Sequence, residues 1–183
     1  MGSTTAIRGR ALTFVADPFE VGGAASARVE SDALVVMEGG RIVAFGDWRA
    51  LRHTLPADVP VTTYPNALIL PGFIDTHVHY PQMPMIASPG EQLIDWLERY
   101  TYVAEQRFAD SAHARAVADA FLRECVRAGT TSAAVFCTVH AQSVDAFFEA
   151  AARLGARMIA GKVLMDRNAP AALLDTPQRG CDE

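Results

Sequence analysis

His77 and His79 stand one valine apart in the segment PGFIDTHVH, residues 71–79. In an extended strand, side chains two residues apart point to the same face. On that rule Asp75, His77 and His79 project together from the end of one strand. Two imidazoles held this way can share a divalent ion at roughly 2.0–2.1 Å, on a backbone more rigid than a loop. A catalytic zinc site usually takes three protein ligands and a water, so the pair is half of such a site. The bare spacing also fits two histidines on an exposed edge strand. A Pro-Gly entry, an apolar strand and an aspartate on the same face favour the site. Of the other histidines, His53 lies in a β-rich stretch and His113 in the first turn of a helix, where it is expected to be solvated. His140 ends a later strand and can reach the same rim as a lining residue, while Lys162 suits either a functional or a hydrogen-bonded structural role.

The elements that must position these groups are legible from periodicity. Up to about Leu70 the chain has the pattern of short strands, with Gly39-Gly40 as a hairpin turn and Pro56, Pro60 and Pro65 punctuating a loop-rich passage. Beyond it, Ser88-Pro89-Gly90-Glu91 has the form of a capping box, and Leu93, Trp96, Leu97 and Tyr100 follow at helical spacing as an expected buried face. Asp110 is placed to cap a longer helix whose Ala114, Val117, Ala118, Phe121, Leu122 and Cys125 share a stripe, ended by Gly129. TTSAAVFCTVH is a strand, residues 143–154 a helix closed by Gly155, and RMIAGKVLMD a third strand. The order β-α-α-β-α-β with apolar strands predicts a parallel sheet buried on both faces, either doubly wound or part of a β/α barrel. A complete barrel needs about 250 residues, and three strands are present, so the expectation is an incomplete barrel.

Composition narrows the function classes. Half of the 183 residues are hydrophobic and 20% are charged, as in ordinary globular proteins. A net charge of -5 offers nothing to phosphate backbones or anionic lipid, so nucleic acid is not an expected partner. No strand is followed by GxGxxG or GxxxxGK[ST]. Cys125, Cys137 and Cys181 form no CxxC pair and fit reduced thiols. The opening residues lack the apolar run of a signal peptide and no segment is long enough to span a membrane, so a cytoplasmic protein is expected.

PGFIDTHVH resembles the first-strand motif of the metal-dependent amidohydrolase superfamily. Within it, HYPQMPMIASPGEQLIDWLERYT, AEQRFAD, GTTSAAVF, TVHAQSVDAFFEAA and GKVLMDRNAP resemble the guanine deaminase family, from about Leu70 onward. The resemblance implies a β-rich segment (residues 1–69) of a composite β-sandwich domain, then the first part of a β/α barrel (residues 70–183). It implies zinc-dependent hydrolysis of guanine to xanthine and ammonia, with His77 and His79 as metal ligands. Gln82 would hydrogen-bond the purine edge, an amide being donor and acceptor together, and Leu93 and Trp96 would line the pocket. Two imidazoles suit zinc, iron and other divalent ions alike.

The family completes its site with further histidines, a Glu in an HxxE segment and an Asp, none of which occurs before Glu183. The chain is therefore expected to hold no catalytic carboxylate and to be the inactive N-terminal portion of a longer, homodimeric enzyme. Val103 and Cys137 stand where the family commonly has proline and a small residue. A deaminase of pterin, cytosine or triazine, or a truncated interaction or dimerisation module without catalysis, remain the alternative readings.

Overall fold

Gly39 and Gly40 take φ of 57° and 77°, the left-handed pair that a two-residue hairpin requires. The computed structural model describes residues 4–90 and 92–183, in two units, Met1–Pro71 and Gly72–Glu183. The first unit is a sheet of β1 (Thr4–Phe14), β2 (Ala27–Glu38), β3 (Arg41–Asp47) and β4 (Val61–Ile69), in the order β3-β2-β1-β4. β1 pairs antiparallel with β2 and parallel with β4. Pro65, expected in a loop, lies inside β4. The register jumps from Gly9↔Tyr64 to Arg10↔Leu68, so residues 65–67 are looped out of an edge strand, a place that tolerates a residue with no N–H to donate. Gly9 permits the approach: a Cβ there would stand 2.9 Å from the Tyr64 carbonyl oxygen. The core of this unit is small, with Ala6, Leu34 and Val36 beneath Trp48, Leu51, Leu55, Val59 and Val61.

In the second unit β5 (Phe73–His79) runs into a 3₁₀ stretch, Tyr80–Met85. One α-turn (Leu93–Trp96), a π-turn (Leu97–Thr101) and α1 (Tyr102–Gln106) follow. Then come α2 (Ser111–Arg127), β6 (Thr130–Phe136), α3 (Ala141–Leu154), β7 (Arg157–Gly161) and α4 (Pro177–Asp182). The three strands are parallel, in the order β5-β6-β7. The Asp110 carboxylate accepts from the Ala112 N–H at 2.8 Å to cap α2, while Gly129 and Gly155 end α2 and α3 with positive φ. The Pro-Gly entry to β5 also has a cause, because a Cβ on Gly72 would overlap the Thr131 side chain.

Helices α2 and α3 pack on one face of this sheet. Tyr80, Phe108, Phe121 and Phe147 join Ala133 and Val135 there in the main core, and the Tyr80 hydroxyl donates to the Ser143 carbonyl at 2.7 Å. The expectation of burial on both faces is not met: Ile74 and Ile159, on the opposite face, are 72% and 75% exposed. The expected face of the segment after the 3₁₀ stretch forms only in part. Trp96, Leu97 and Tyr100 are half-buried, whereas Leu93 is exposed. The helical turn starts at Leu93, with Gln92 as its cap and no side-chain capping bond. Glu91 of the expected capping box lies outside the described residues. The third strand is shorter than expected, ending at Gly161 before Lys162.

Candidate metal and substrate site

The histidine pair owes its direction to a bulge. β5 and β6 pair Asp75↔Ala133 and then Val78↔Val135, so three steps on β5 match two on β6. Ala133 and Val135 are buried against the helices, and paired residues of a parallel ladder share a face. Asp75 and Val78 therefore both point toward the helices, although they are an odd number apart. The simple alternation that grouped Asp75 with the histidines fails across the extra residue. Asp75 instead accepts from the His77 backbone N–H at 3.0 Å, and its charge helps burial to raise the Cys125 thiol on α2.

His77 and His79 share the opposite face. Their ring centroids are 5.3 Å apart, and Phe136 stacks on His79 at 4.6 Å with an interplanar angle of 11°. Burial first, and then the neighbouring His77, hold the His79 pKa below its ordinary value. Its Nδ1 is buried without a hydrogen-bond partner. A neutral imidazole is the form that binds a metal, and two such rings side by side with an unpartnered ring nitrogen fit part of a divalent-ion site. Among the described residues no group of three or more His, Cys, Asp or Glu side chains is placed to hold an ion.

A cavity of about 580 Å³ opens beside the pair and is lined by His77, His79, Gln82, Met83, Met85 and Trp96, among others. Four of the five sequence-derived site residues thus meet at one cavity. Leu93 does not line it and is 68% exposed. The Trp96 indole N–H donates to the Ser88 carbonyl at 3.2 Å, and Gly90 leaves room for the ring, which a Cβ there would strike. Glu124 also lines the cavity, but its carboxylate is paired with Arg127 at 2.9 Å.

One relevant residue escaped the sequence reading. Glu105 is 5% exposed. Burial pushes its carboxyl up to about 7, opposed by a hydrogen bond with the Gln82 side chain. The available signal was spacing: Thr101, Glu105 and Phe108 lie at i, i+4 and i+7, and all three are buried. The remaining candidates lie elsewhere. His140 precedes α3, its backbone N–H donating to Thr138, and does not line the cavity. His113 is not solvated as expected but packs edge-on against Phe108 at 4.9 Å, with a buried, unpartnered Nε2. Lys162 is an ion-paired structural lysine, 2.6 Å from the Asp175 carboxylate.

The parallel sheet carries two imidazoles at the end of one strand, with a cavity beside them. Residues 68–183 match the amidohydrolase family model, and the chain belongs to that family. Its similarities narrow further. It is 48% identical over 155 residues to the guanine deaminase of Escherichia coli, a match covering 85% of this chain and 35% of that protein. It is 39% identical over 171 residues to a probable guanine deaminase of Deinococcus radiodurans, covering 92% of this chain and 39% of that one. The solved structure of the Escherichia coli enzyme superposes with a TM-score of 0.85 at 44% identity, over 96% of this chain and 41% of that one. The chain thus spans between a third and two fifths of the length of these relatives. No helix among the described residues is long and apolar enough to cross a membrane.

Proposed function

We propose that the protein of which these residues are part hydrolyses guanine to xanthine and ammonia, with His77 and His79 as two ligands of a divalent ion, zinc by preference. The carrying observation is that the histidine pair and Gln82 line one cavity, in a chain 48% identical to a guanine deaminase. A bound ion supplies activation of water at neutral pH and Lewis-acid assistance to attack on the carbon bearing the amino group.

The described residues have their own parts in this reaction. Phe136, against both imidazole rings, fixes their orientation. Gln82 offers donor and acceptor to the purine edge. Met83, Met85 and Trp96 make a largely apolar wall that excludes bulk water around the heterocycle. Leu93, exposed and off the cavity lining, is given no part in that wall. Glu124 is engaged by Arg127, so the carboxylate that carries a proton to the leaving amino group is assigned to residues outside this chain, as are the remaining ligands. On this reading β5, β6 and β7 begin a β/α barrel. Both long helices lie on one face of the sheet, which favours a barrel over a doubly wound sheet, and the exposed face with Ile74, His77, His79 and Ile159 is the barrel interior. β1–β4 belong to a composite β-sandwich, and the assembled enzyme is a cytoplasmic homodimer.

Purified full-length protein, loaded with zinc and given guanine, is expected to release xanthine and ammonia in equal amounts and to lose that activity to a chelator. Faster turnover of a pterin, cytosine or a triazine than of guanine overturns the substrate assignment. A full-length protein that binds no divalent ion overturns the reading altogether.

A further inference from the structure

We infer that Trp96 is a positioning residue: its indole holds a strained turn at Ala87, and that turn forms one wall of the cavity beside the histidine pair. The role in binding rests on the guanine reading above.

The turn spans residues 85–88. The Ser88 N–H donates to the Met85 carbonyl at 3.0 Å. Ile86 has φ −51° and ψ 135°, and Ala87 has φ 63°. These are the features of a type II turn, whose third residue needs positive φ and is ordinarily Gly or Asn. Ala87 has a Cβ, and no polar side chain with which to offset the strain locally. Such a conformation persists only where its surroundings over-determine it, and here they act at both ends. Met85 is buried and fixes the entry. At the exit the Ser88 carbonyl accepts from the Trp96 indole N–H at 3.2 Å. The ring lies so close to Gly90 that a Cβ there would stand 2.5 Å from its Cδ1. Pro89 adds to the constraint by keeping Ser88 extended.

Ile86, Ala87 and Ser88 line the cavity together with Trp96. Ile86 is 75% exposed, so core packing does not explain why the turn is kept. Relaxing Ala87 to negative φ would redirect the backbone of residues 86–88 and reshape the wall offered to a heterocycle. A wall set before binding lowers the ordering cost of binding, so loss of the clamp should act mainly through KM.

The test uses the full-length, zinc-loaded protein, with KM for guanine and amide exchange at Ser88 as two readouts. Trp96→Phe keeps an aromatic face at the cavity but removes the indole N–H. It is expected to raise KM about fivefold, the effect of one hydrogen bond, and to speed exchange at Ser88 by a similar factor. Ala87→Val, whose β-branched side chain resists positive φ, should act in the same direction. The deciding variant combines Trp96→Phe with Ala87→Gly. Glycine adopts positive φ freely, so the pair should recover most of both losses, measured against Ala87→Gly alone. A Trp96 that acted only by touching substrate would gain nothing from that glycine. No loss in Trp96→Phe, or a loss that glycine does not recover, overturns the proposal, as does recovery of exchange without recovery of KM. If the wild-type protein does not deaminate guanine, the functional reading fails on its own. Exchange alone then decides whether Trp96 holds the turn: recovery by glycine supports it and no recovery overturns it.

Discussion

The two units use the β-strand in opposite ways. The first is held by ladders: four long or edge-paired strands over a core of three small or medium side chains, Ala6, Leu34 and Val36. The second has shorter strands and an aromatic core of Tyr80, Phe108, Phe121 and Phe147. Tyr80 immediately follows His79, so the residue that anchors the strand in the core adjoins the candidate ligand. The contrast separates stability from chemistry. Where the backbone ladder holds an element, as around Gly9 and Pro65, irregularities are looped out with little consequence for side chains. Where packing on a large core holds it, an irregularity can aim a functional group.

The sharpest way to probe this contrast is to remove a ligand. His79→Ala in the full-length protein is expected to lower kcat/KM by more than about 100-fold, the loss typical of merely disturbing a ligand's support, with bound zinc reduced in parallel. Retained zinc and activity would detach the pair from the chemistry. Next, Phe147→Ala should cost about 3–5 kcal/mol and Leu34→Ala about 2–3 kcal/mol, read by hydrogen exchange in the unit that carries each. Equal costs would erase the difference between the cores.

A smaller effect concerns Glu105. Its folded pKa, about 7, lies above the ordinary 4.5, so the folded state holds the proton more tightly than the unfolded chain does. Stability from this group is full below pH 4.5, falls as pH rises to about 7, and is level above it. The loss is at most about 3 kcal/mol. Urea titrations across this range should show the fall in the wild type and its absence in Glu105→Gln. Smallest is the Arg8–Asp32 pair of the first unit, at 2.7 Å but partly exposed. Its hydrogen bond with Arg8 lowers the Asp32 pKa, so its contribution is present above the ordinary carboxylate range and lost as pH falls through the lowered value. Salt should weaken it, which parallel melting curves of Asp32→Asn and wild type would show.

Much of the second unit was legible because its signals are local. The α2 stripe from Ala114 to Leu122 and its Asp110 cap, the two helix-ending glycines and the HxH spacing need only neighbouring residues to be interpreted. What escaped depends on a partner strand or on a conflict of signals. Alternation along β5 assumes an unbroken ladder, and only pairing with β6 reveals the added residue. Pro65 argued for a loop because the edge position of β4 is a property of the sheet. The π-turn at Leu97–Thr101 cannot be told from an α-turn by hydrophobic pattern alone. Glu105 sat on a core stripe, where a charged residue ordinarily counts against burial.

The bulge in β5 gives that strand a parity. Before it, Asp75 is in step with the helix-packed side. After it, the same side is served by Val78, and the imidazoles fall out of step with the aspartate. Straightening the strand without removing a residue, with His79 and Tyr80 held in place beyond it, would turn Asp75 to the imidazole side of the sheet and out of step with Ala133. A metal site in this chain therefore depends on a count of residues as much as on their identities.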